Sequence, residues 1–477
     1  MSIVTRSLPD NINLSRFVGF NKKCYPYALI SSASQSQNKP STLNANIGQY
    51  DIVFAYPQQS LCLDKNKQLF YCDADANRSI EAPVEESFFD ELNRLCEQHK
   101  RSVDASSKTT IPFYGGWFVF LSYEMAEEVE PCLSLPESHG ALPLAMATRI
   151  PAAIVHDRMN NISFMVAETG HAHLLDNIEA DFQSIQKQCS NHEHALKSSV
   201  LLEQFVESRD APYLRQVEKI KQYIYDGDIF QANLSRLWQA TLAEEIDDAQ
   251  LFDLLAQHNP SSFAALAVFD GASIISSSPE RLVSMRNKRV ETRPIAGTRP
   301  RFDDAVKDSA MADELLSHPK EQAEHIMLID LERNDLGRVC VPGSIQVNEL
   351  MALESWQHVH HIVSNIQGIC EPEKTSVDVL KAVFPGGTIT GCPKVRCMEI
   401  LAEQEQQARG AYTGSLGYIN IDGDMDFNIL IRTLVREQNS IYFRAGGGIV
   451  ADSLAKNELE ETRAKARGLL KIFEQKF

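Results

Sequence analysis

Two Asp-Gly dipeptides, each set between two apolar runs, constrain the fold more than any other feature of this sequence. Asp270-Gly271 lies within AALAVFDGASIIS, and Asp422-Gly423 lies within GYINIDGDMDFNILIRTLV. Asp-Gly between strand-like runs predicts a β-hairpin, whose two strands are antiparallel. Helical patterns cover four further segments, at about residues 320–335, 376–384, 394–404 and 456–473. Hairpins mixed with helices predict an α+β fold, with helices outside antiparallel sheets, in place of a doubly wound parallel sheet.

The chain is long enough for two domains, or for one large domain of two layers, since it has 477 residues. Its first half is poor in motifs, although DIVFAYP near residue 51 has the pattern of a strand. A polar stretch rich in His, Gln and Ser runs from about residue 170 to residue 208. We therefore predict an N-terminal domain over residues 1–190 and a second domain over residues 208–473.

The composition argues against several classes of function. A formal net charge of −18 disfavours nucleic-acid binding, which needs basic patches to neutralise phosphates. No apolar run is long enough to span a membrane, and the N-terminus MSIVTRSLPDNINL lacks the order of a signal peptide. The ten cysteines show no CxxC pairing, which favours reduced thiols in a cytoplasmic protein. An anionic substrate would then require local basic side chains, backbone N–H groups or a metal ion.

Two pairs of glutamates have the spacing of neighbours on one helix face. Glu321 and Glu324 lie in KEQAEHIMLIDLERND, and Glu458 and Glu461 lie in KNELEETRAKARGLL. Two such faces brought together would offer four carboxylates to a hard cation, and oxygen-only ligation suits Mg²⁺. The alternative is that both pairs are solvated helix faces, which is the commoner use of this spacing.

Two glycine clusters are further candidates. FPGGTITGCPK at 384–394 leads into a predicted helix whose free N–H groups suit an anion, and AGGGIVADS at 445–453 precedes the helix that carries Glu458. The alternative is that these glycines only permit unusual backbone angles. Arg432, Glu280 and His361 are polar residues in or beside apolar strands. Each alone is typical of a structural residue, and only their combination indicates a site.

Together these segments resemble the chorismate-utilising enzymes, a family that includes anthranilate synthase component I, aminodeoxychorismate synthase component I, and the isochorismate and salicylate synthases. The similar blocks follow the family's order over roughly residues 210–470, and they are IFQANLSR, SSSPERLV, ETRPIAGTRPR, KEQAEHIMLIDLERNDLGRV, VHHIVSNIQG, FPGGTITGCPKVRCMEI, GSLGYI, FNILIRTL, AGGGIVADS and ELEETRAKA. The resemblance implies two antiparallel sheets packed on one another with helices outside. It also implies that residues 1–190 form the family's N-terminal domain and residues 208–473 its chorismate-binding catalytic domain.

The resemblance implies roles for individual residues. Glu324 and Glu461 match the direct Mg²⁺ ligands, with Glu321 and Glu458 beside them. Glu280 matches the general acid that assists departure of the C4 hydroxyl of chorismate, a poor leaving group that needs a positioned acid. The other matched positions contact the substrate, and they are the carboxylate-binding residues Arg432, Lys465, Gly446, Gly447 and Gly448, the catalytic ring contacts His361 and Thr388, and the pocket residue Tyr412.

Gln231 is typical of the family members that use ammonia. Isochorismate and salicylate synthases carry a lysine at this position, which resembles a base that activates water, and a glutamine cannot do that work. The chain has no cysteine nucleophile in a GxCxG-like segment followed by His-x-Glu. The resemblance therefore implies a separate glutamine amidotransferase subunit that supplies ammonia, with free ammonium as a weak substitute.

Ala296 leaves two products open. Many aminodeoxychorismate synthases carry lysine at x of PIxGT, which is proposed to attack C2 so that ammonia enters at C4. Alanine has no nucleophile, which favours direct attack of ammonia at C2 and hence anthranilate. In contrast, QANLSR, DIVFAYP and TGCPKVRCMEI resemble the aminodeoxychorismate branch, and the LLES-like motif linked to tryptophan feedback reads LISS at 29–32. We predict amination of chorismate to 4-amino-4-deoxychorismate for p-aminobenzoate and folate synthesis, with anthranilate synthase component I as the alternative.

Overall fold

A computed structural model describes residues 3–8, 13–32, 47–73, 78–79, 87–101, 111–191, 199–355 and 359–475. Its strands are β1 (Ile3–Leu8), β2 (Tyr27–Leu29), β3 (Tyr50–Ala55), β4 (Ser60–Leu63), β5 (Leu69–Cys72), β6 (Arg78–Ser79), β7 (Gly116–Leu121), β8 (Ala145–Ile150), β9 (Ala152–Asp157), β10 (Ile162–Glu168), β11 (Val200–Glu207), β12 (Gln231–Leu242), β13 (Phe263–Phe269), β14 (Ala272–Ser278), β15 (Arg281–Arg286), β16 (Arg289–Thr292), β17 (Ile295–Pro300), β18 (Gln346–Ser355), β19 (Val359–Ile369), β20 (Gly391–Cys392), β21 (Ser415–Asn420), β22 (Met425–Asn428), β23 (Thr433–Glu437), β24 (Ser440–Ile449) and β25 (Phe473–Gln475). Its α-helices are α1 (Ser15–Phe20), α2 (Phe88–His99), α3 (Ala126–Val129), α4 (Leu174–Asn191), α5 (Asp210–Tyr225), α6 (Asp248–His258), α7 (Ala305–Ser317), α8 (Pro319–Gly337), α9 (Ser376–Val383), α10 (Lys394–Glu405) and α11 (Ala455–Leu470).

The strands form two large sheets. The first sheet has the order β1-β10-β9-β3-β2-β13-β14-β23-β24-β12-β11-β25, with β20 paired to β12. The second sheet has the order β17-β19-β16-β15-β22-β21-β7-β8-β4-β5-β6, with β18 paired to β19. Among the described strands, pairing is antiparallel except where β11 meets β25. The predicted antiparallel architecture is confirmed.

Both predicted hairpins are present. In the first sheet Phe269 of β13 lies opposite Ala272 of β14, so Asp270-Gly271 is the connection. In the second sheet β21 and β22 are joined through the loop that contains Gly423. Gly271 has a φ of +82°, a left-handed conformation that favours glycine. The four predicted helical segments are observed as α8, α9, α10 and α11.

The two sheets pack face to face through aromatic side chains. Tyr27 of the first sheet stacks on Phe118 of the second, with ring centroids 3.9 Å apart. Phe54 of β3 points into the same layer, whereas its neighbour Val53 points to the opposite face, where helices α1, α4 and α6 pack. Helices α2, α8 and α9 cover the outer face of the second sheet in the same way. Two sheets inside and helices outside follow from this alternation of apolar faces.

Both halves of the chain contribute strands to both sheets. Strand β2 pairs with β13 in the first sheet, and β7 pairs with β21 in the second. The predicted boundary between residues 190 and 208 falls partly on residues 192–198, which lie outside the described residues, and the division into 1–190 and 208–473 stays a prediction. No helix in the described part of the chain is both long and apolar enough to cross a bilayer.

Candidate active site

The glycine-rich strand β24 forms one wall of the site. Its consecutive Gly446, Gly447 and Gly448 pair with β12, and helix α11 packs against the same strand. A Cβ at Gly448 would collide with Nε2 of Gln231, and a Cβ at Gly446 would lie 2.8 Å from Oη of Tyr412. Glycine is favoured here, and at Gly446 a Cβ would also lie 2.6 Å from the backbone oxygen of Leu234, which cannot easily move away.

Three of the four predicted glutamates surround this strand. A Cβ at Gly447 would lie 3.3 Å from Oε1 of Glu461 and 3.6 Å from Oε2 of Glu458. Nε2 of Gln231 donates a hydrogen bond of 2.8 Å to Oε1 of Glu324. Helices α8 and α11 thus bring carboxylates from distant parts of the sequence to the same place.

Two of these carboxylates, those of Glu321 and Glu461, contact basic side chains. Glu321 accepts from Nη1 of Arg299 at 3.2 Å, on strand β17. Glu461 lies 2.9 Å from Nζ of Lys465, which also donates to the carbonyl oxygen of Gly446 at 2.8 Å. In this arrangement no three metal-ligating side chains converge on one point within the described residues. The four glutamates therefore lie in one region, but their carboxylates do not form a complete metal coordination sphere.

The electrostatics of these glutamates fit a cation. Burial raises the pKa of Glu324, and the charge of Glu321 raises it further. Burial likewise raises the pKa of Glu458, with an additional contribution from the charge of Glu461. Carboxylates that repel one another gain from a shared counter-charge, and a set of carboxylate oxygens is the donor set that Mg²⁺ prefers.

Glu280 is a buried acid in the short connection between β14 and β15, with an exposed fraction of 5%. Burial raises its pKa to about 7, although Thr388, the backbone N–H of Ile295, Arg432 and Lys465 all act to lower it. A carboxyl that keeps its proton near neutral pH is suited to general-acid catalysis.

We expect kcat to fall as the pH rises through about 7, because the acid form of Glu280 is lost over that range. The sign follows from the raised pKa, since the proton is held at low pH and released at high pH. A pH–rate profile with free ammonia held constant measures this limb. A profile that stays flat from about pH 6 to about pH 8 would contradict the assignment of Glu280 as the acid.

Arg432 lies near the acid Glu280, directly before strand β23. It is partly buried, and its guanidinium group makes no hydrogen bond or ion pair with any described residue, although its charge acts on Glu280. Burial lowers its pKa. Its φ of +51° lies in the left-handed region, where a residue with a side chain is strained by about 1–3 kcal/mol. A guanidinium without a partner, beside a buried acid, is suited to binding a carboxylate of a substrate.

His361 is a neutral imidazole in this site. Burial, with a further contribution from the charge of Arg432, lowers its pKa to about 4. Its Nδ1 lies 3.0 Å from Oγ1 of Thr298 and 3.3 Å from the carbonyl oxygen of Gly297, both on β17. The ring is therefore fixed by the strand that also carries Ala296, whose exposed fraction is 6%.

Three predicted site residues carry buried oxygen atoms without a hydrogen-bond partner among the described residues. They are Oε1 of Gln231, Oε1 of Glu280 and Oγ1 of Thr388. An unsatisfied buried polar atom costs about 1–3 kcal/mol, so native structures rarely leave several together. A polar ligand bound beside these residues would give such atoms a partner.

Charge interactions join the two parts of the site. Lys465, which contacts Glu461 and Gly446 on β24, also acts on Glu280. Arg432 acts on both Glu280 and His361. The structure thus brings together the predicted metal-ligating, carboxylate-binding and acid residues in one region, and it keeps Glu321 at the edge beside Arg299.

Sequence reasoning missed a buried ion cluster beneath this region. Glu405 at the end of α10 pairs with Arg409 at 2.7 Å and with Arg444 of β24 at 3.2 Å. Arg409 lies 5.7 Å from the ring of Tyr412, which connects the cluster to the pocket. The spacing of Glu405 and Arg409 was a visible signal, but nothing in the sequence distinguishes it from an exposed helix pair.

The sequence matches one protein family over most of its length. The model of a family described as chorismate binding enzyme matches residues 48–471. Aminodeoxychorismate synthase component 1 of Bacillus subtilis is 40% identical over 369 residues, which cover 76% of this chain and 77% of that protein. An anthranilate synthase component I-like protein of Synechocystis is 39% identical over 396 residues, which cover 82% of this chain and 80% of that protein.

A solved structure extends the similarity to the fold. The crystal structure of anthranilate synthase component I from Streptococcus pneumoniae superposes with a TM-score of 0.75 at 30% identity. The match covers 91% of this chain and 95% of that chain. Both sheets and the surrounding helices are therefore shared.

Proposed function

The chain belongs to the family of chorismate-binding enzymes, and from that premise we propose that it aminates chorismate with ammonia to give 4-amino-4-deoxychorismate. At the coarser level it is a chorismate-utilising enzyme of the anthranilate and aminodeoxychorismate synthase type. The observation that carries the proposal is the group of Glu280, Thr388 and Arg432, in which a buried acid with a raised pKa lies beside a hydroxyl and a guanidinium.

In the proposed reaction Arg432 and Lys465 bind the carboxylates of chorismate. Glu280 donates its proton to the C4 hydroxyl, whose bond to carbon breaks so that water leaves. Ammonia forms the new bond to the ring and loses a proton, so that chorismate and ammonia give aminodeoxychorismate and water. Neutral His361 and Thr388 contact the ring beside Glu280, and Gln231 supplies an amide in place of a base.

We propose that the four glutamates hold Mg²⁺, with Glu324 and Glu461 as direct ligands and Glu321 and Glu458 beside them. Support comes from the carboxylate donor set and from the mutual repulsion that raises the pKa of Glu324 and of Glu458. When bound, the ion would neutralise this acidic cluster and a substrate carboxylate, which offsets a chain whose net charge is −18.

We propose that ammonia comes from a separate glutamine amidotransferase subunit. A glutamine-hydrolysing cysteine needs a lowered pKa, and burial instead raises the pKa of Cys392 and of Cys397, which lie beside Gln231. We also place the enzyme in the cytoplasm, where thiols stay reduced. Turnover with ammonium and not with glutamine alone would agree with this source of ammonia, and glutaminase activity of the isolated chain would contradict it.

Anthranilate formation is the second candidate, because one observation favours it. Ala296 follows Ile295, whose backbone N–H faces Glu280, and it precedes Gly297 and Thr298, which contact His361. Alanine offers no nucleophile for a covalent step. Of the two relatives described above, the one named aminodeoxychorismate synthase is 40% identical to this chain, and the one named anthranilate synthase component I-like is 39% identical. We favour aminodeoxychorismate on the segments QANLSR, DIVFAYP and TGCPKVRCMEI.

Replacing Ala296 by Lys tests control of the product. We expect the ratio of C4-aminated to C2-aminated product to change, since an amine beside the ring opens a covalent route. Ala296→Met is the matched control, because methionine has similar length and no nucleophilic amine, and we expect it to leave the ratio unchanged. Products are separated after incubation with and without aminodeoxychorismate lyase, as p-aminobenzoate or anthranilate. Equal ratios in all three proteins would mean that this position does not direct the site of amination.

A further inference from the structure

Glu332 of α8 is a second buried carboxyl in the neighbourhood of Glu280, with an exposed fraction of 5%. Its Oε1 would lie 3.2 Å from a Cβ at Gly387, the residue before Thr388. On its other side Glu332 faces Thr292, three residues before Ile295. Glu332 therefore lies between the two segments that face the carboxyl of Glu280.

The charges around Glu332 leave it without a cation of its own. Asp335, one turn further along α8, forms an ion pair with Nζ of Lys394 at a distance of 2.5 Å. Lys394 also donates to the carbonyl oxygen of Val383 at 3.2 Å, at the end of α9. The other basic group nearby, Arg338, pairs with Glu130 at 3.3 Å. Within the described residues, Glu332 makes no ion pair.

Burial raises the pKa of Glu332 to about 8, with further contributions from the charges of Asp335 and Glu280 and an opposing one from Lys394. Glu332 is therefore neutral at pH 7. If it ionised, it would compete with Asp335 for Lys394. Lys394 is hydrogen-bonded to Val383, directly before the 384–388 segment, which connects it to the turn that carries Thr388.

We infer that Glu332 is a positioning residue that must stay neutral for Glu280 to act, because its charge would pull Lys394 from Asp335 and displace the turn that carries Thr388. The inference rests on the proposed role of Glu280 as the acid. Activity then requires that Glu280 and Glu332 are both protonated, and protonation of Glu280 alone is not sufficient.

The alkaline limb of the pH–rate profile tests this requirement without any substitution. With free ammonia held constant, we expect the slope of log kcat against pH to steepen from about −1 to about −2 above about pH 8, since both protons are needed. Glu332→Gln keeps the shape and the neutral state, so we expect it to remain active and to keep a slope of about −1. The inference would be overturned if the slope of log kcat against pH stayed at about −1 in the unchanged enzyme. It would also be overturned if the alkaline slopes of the unchanged enzyme and of Glu332→Gln were equal.

A second measurement separates this inference from the proposed function. Because the pKa of Glu332 is raised on folding, its stabilising effect is present at low pH and lost as the pH rises through about 8. We therefore expect Glu332→Gln to gain stability relative to the unchanged protein between about pH 5 and about pH 8. Asp330→Asn, an exposed change on the same helix beside Arg333, should show no such trend. Equal pH dependence in Glu332→Gln and the unchanged protein would overturn the inference even if chorismate were not a substrate.

Discussion

Replacing Glu280 by Gln should lower kcat for chorismate turnover by about 10²–10⁴-fold, the usual contribution of a positioned general acid. The amide keeps the volume of the side chain in its buried position but has no proton to give to a departing hydroxide. Substrate binding should change less, because Arg432 and Lys465, the proposed carboxylate contacts, remain in place. The measurement is kcat and KM at about pH 6.5, where the wild-type acid is largely protonated.

Two controls make this result specific. Glu399→Gln, on the exposed part of α10 beside Arg396, should leave both constants unchanged. The pH dependence near 7 should disappear from the residual activity of Glu280→Gln, since the titrating group is gone. If kcat fell less than about tenfold, Glu280 would not be the principal acid, and the proposed mechanism would lose its proton donor.

Replacing Glu405 by Gln should lower the free energy of unfolding by about 3–5 kcal/mol, the cost of breaking a buried ion pair on one side. Its side chain is 3% exposed, and those of Arg409 and Arg444 are 2% and 6% exposed, so water cannot replace the lost charge. Glu405 also accepts hydrogen bonds from the backbone and hydroxyl of Ser235 on β12. The change therefore leaves two guanidinium groups uncompensated beneath β24.

Urea denaturation of Glu405→Gln and Glu399→Gln measures this effect on the same helix. Glu399 and Arg396 are each 40% exposed, and their pair should contribute less than about 1 kcal/mol. The charges of Arg409 and Arg444 hold the pKa of Glu405 below its usual value despite burial. Its stabilising effect is then present above the ordinary carboxyl pKa and lost as the pH falls. Similar stability of the two variants would show that the cluster is not a major source of stability.

Local sequence patterns were sufficient for the hairpins and helices. Asp270-Gly271 connects β13 to β14, and the Glu321 and Glu458 segments are helical as their spacing predicted. These features depend on neighbours within a few residues, where turn chemistry and periodicity act. The α+β class followed from the same patterns.

The assembly of the site depended on long-range pairing that local patterns do not contain. Strand β12 lies beside β24 although about 200 residues separate them, and only this pairing brings Gln231 to Gly448. The family resemblance supplied that grouping, whereas the partners that now hold Glu321 and Glu461, namely Arg299 and Lys465, came only from the structure. Glu332 and Glu405 were missed because their significance is burial, which a charged residue in a helical pattern does not reveal.

The most direct test of the central claim is incubation of the purified protein with chorismate, Mg²⁺ and ¹⁵N-labelled ammonium, with each component omitted in turn, followed by chromatography and mass spectrometry. We predict that chorismate is consumed only when all components are present, and that the label appears in an aminated product that aminodeoxychorismate lyase converts to p-aminobenzoate. Consumption of chorismate without ammonium, or an unlabelled hydroxylated isomer as the product, would contradict the account.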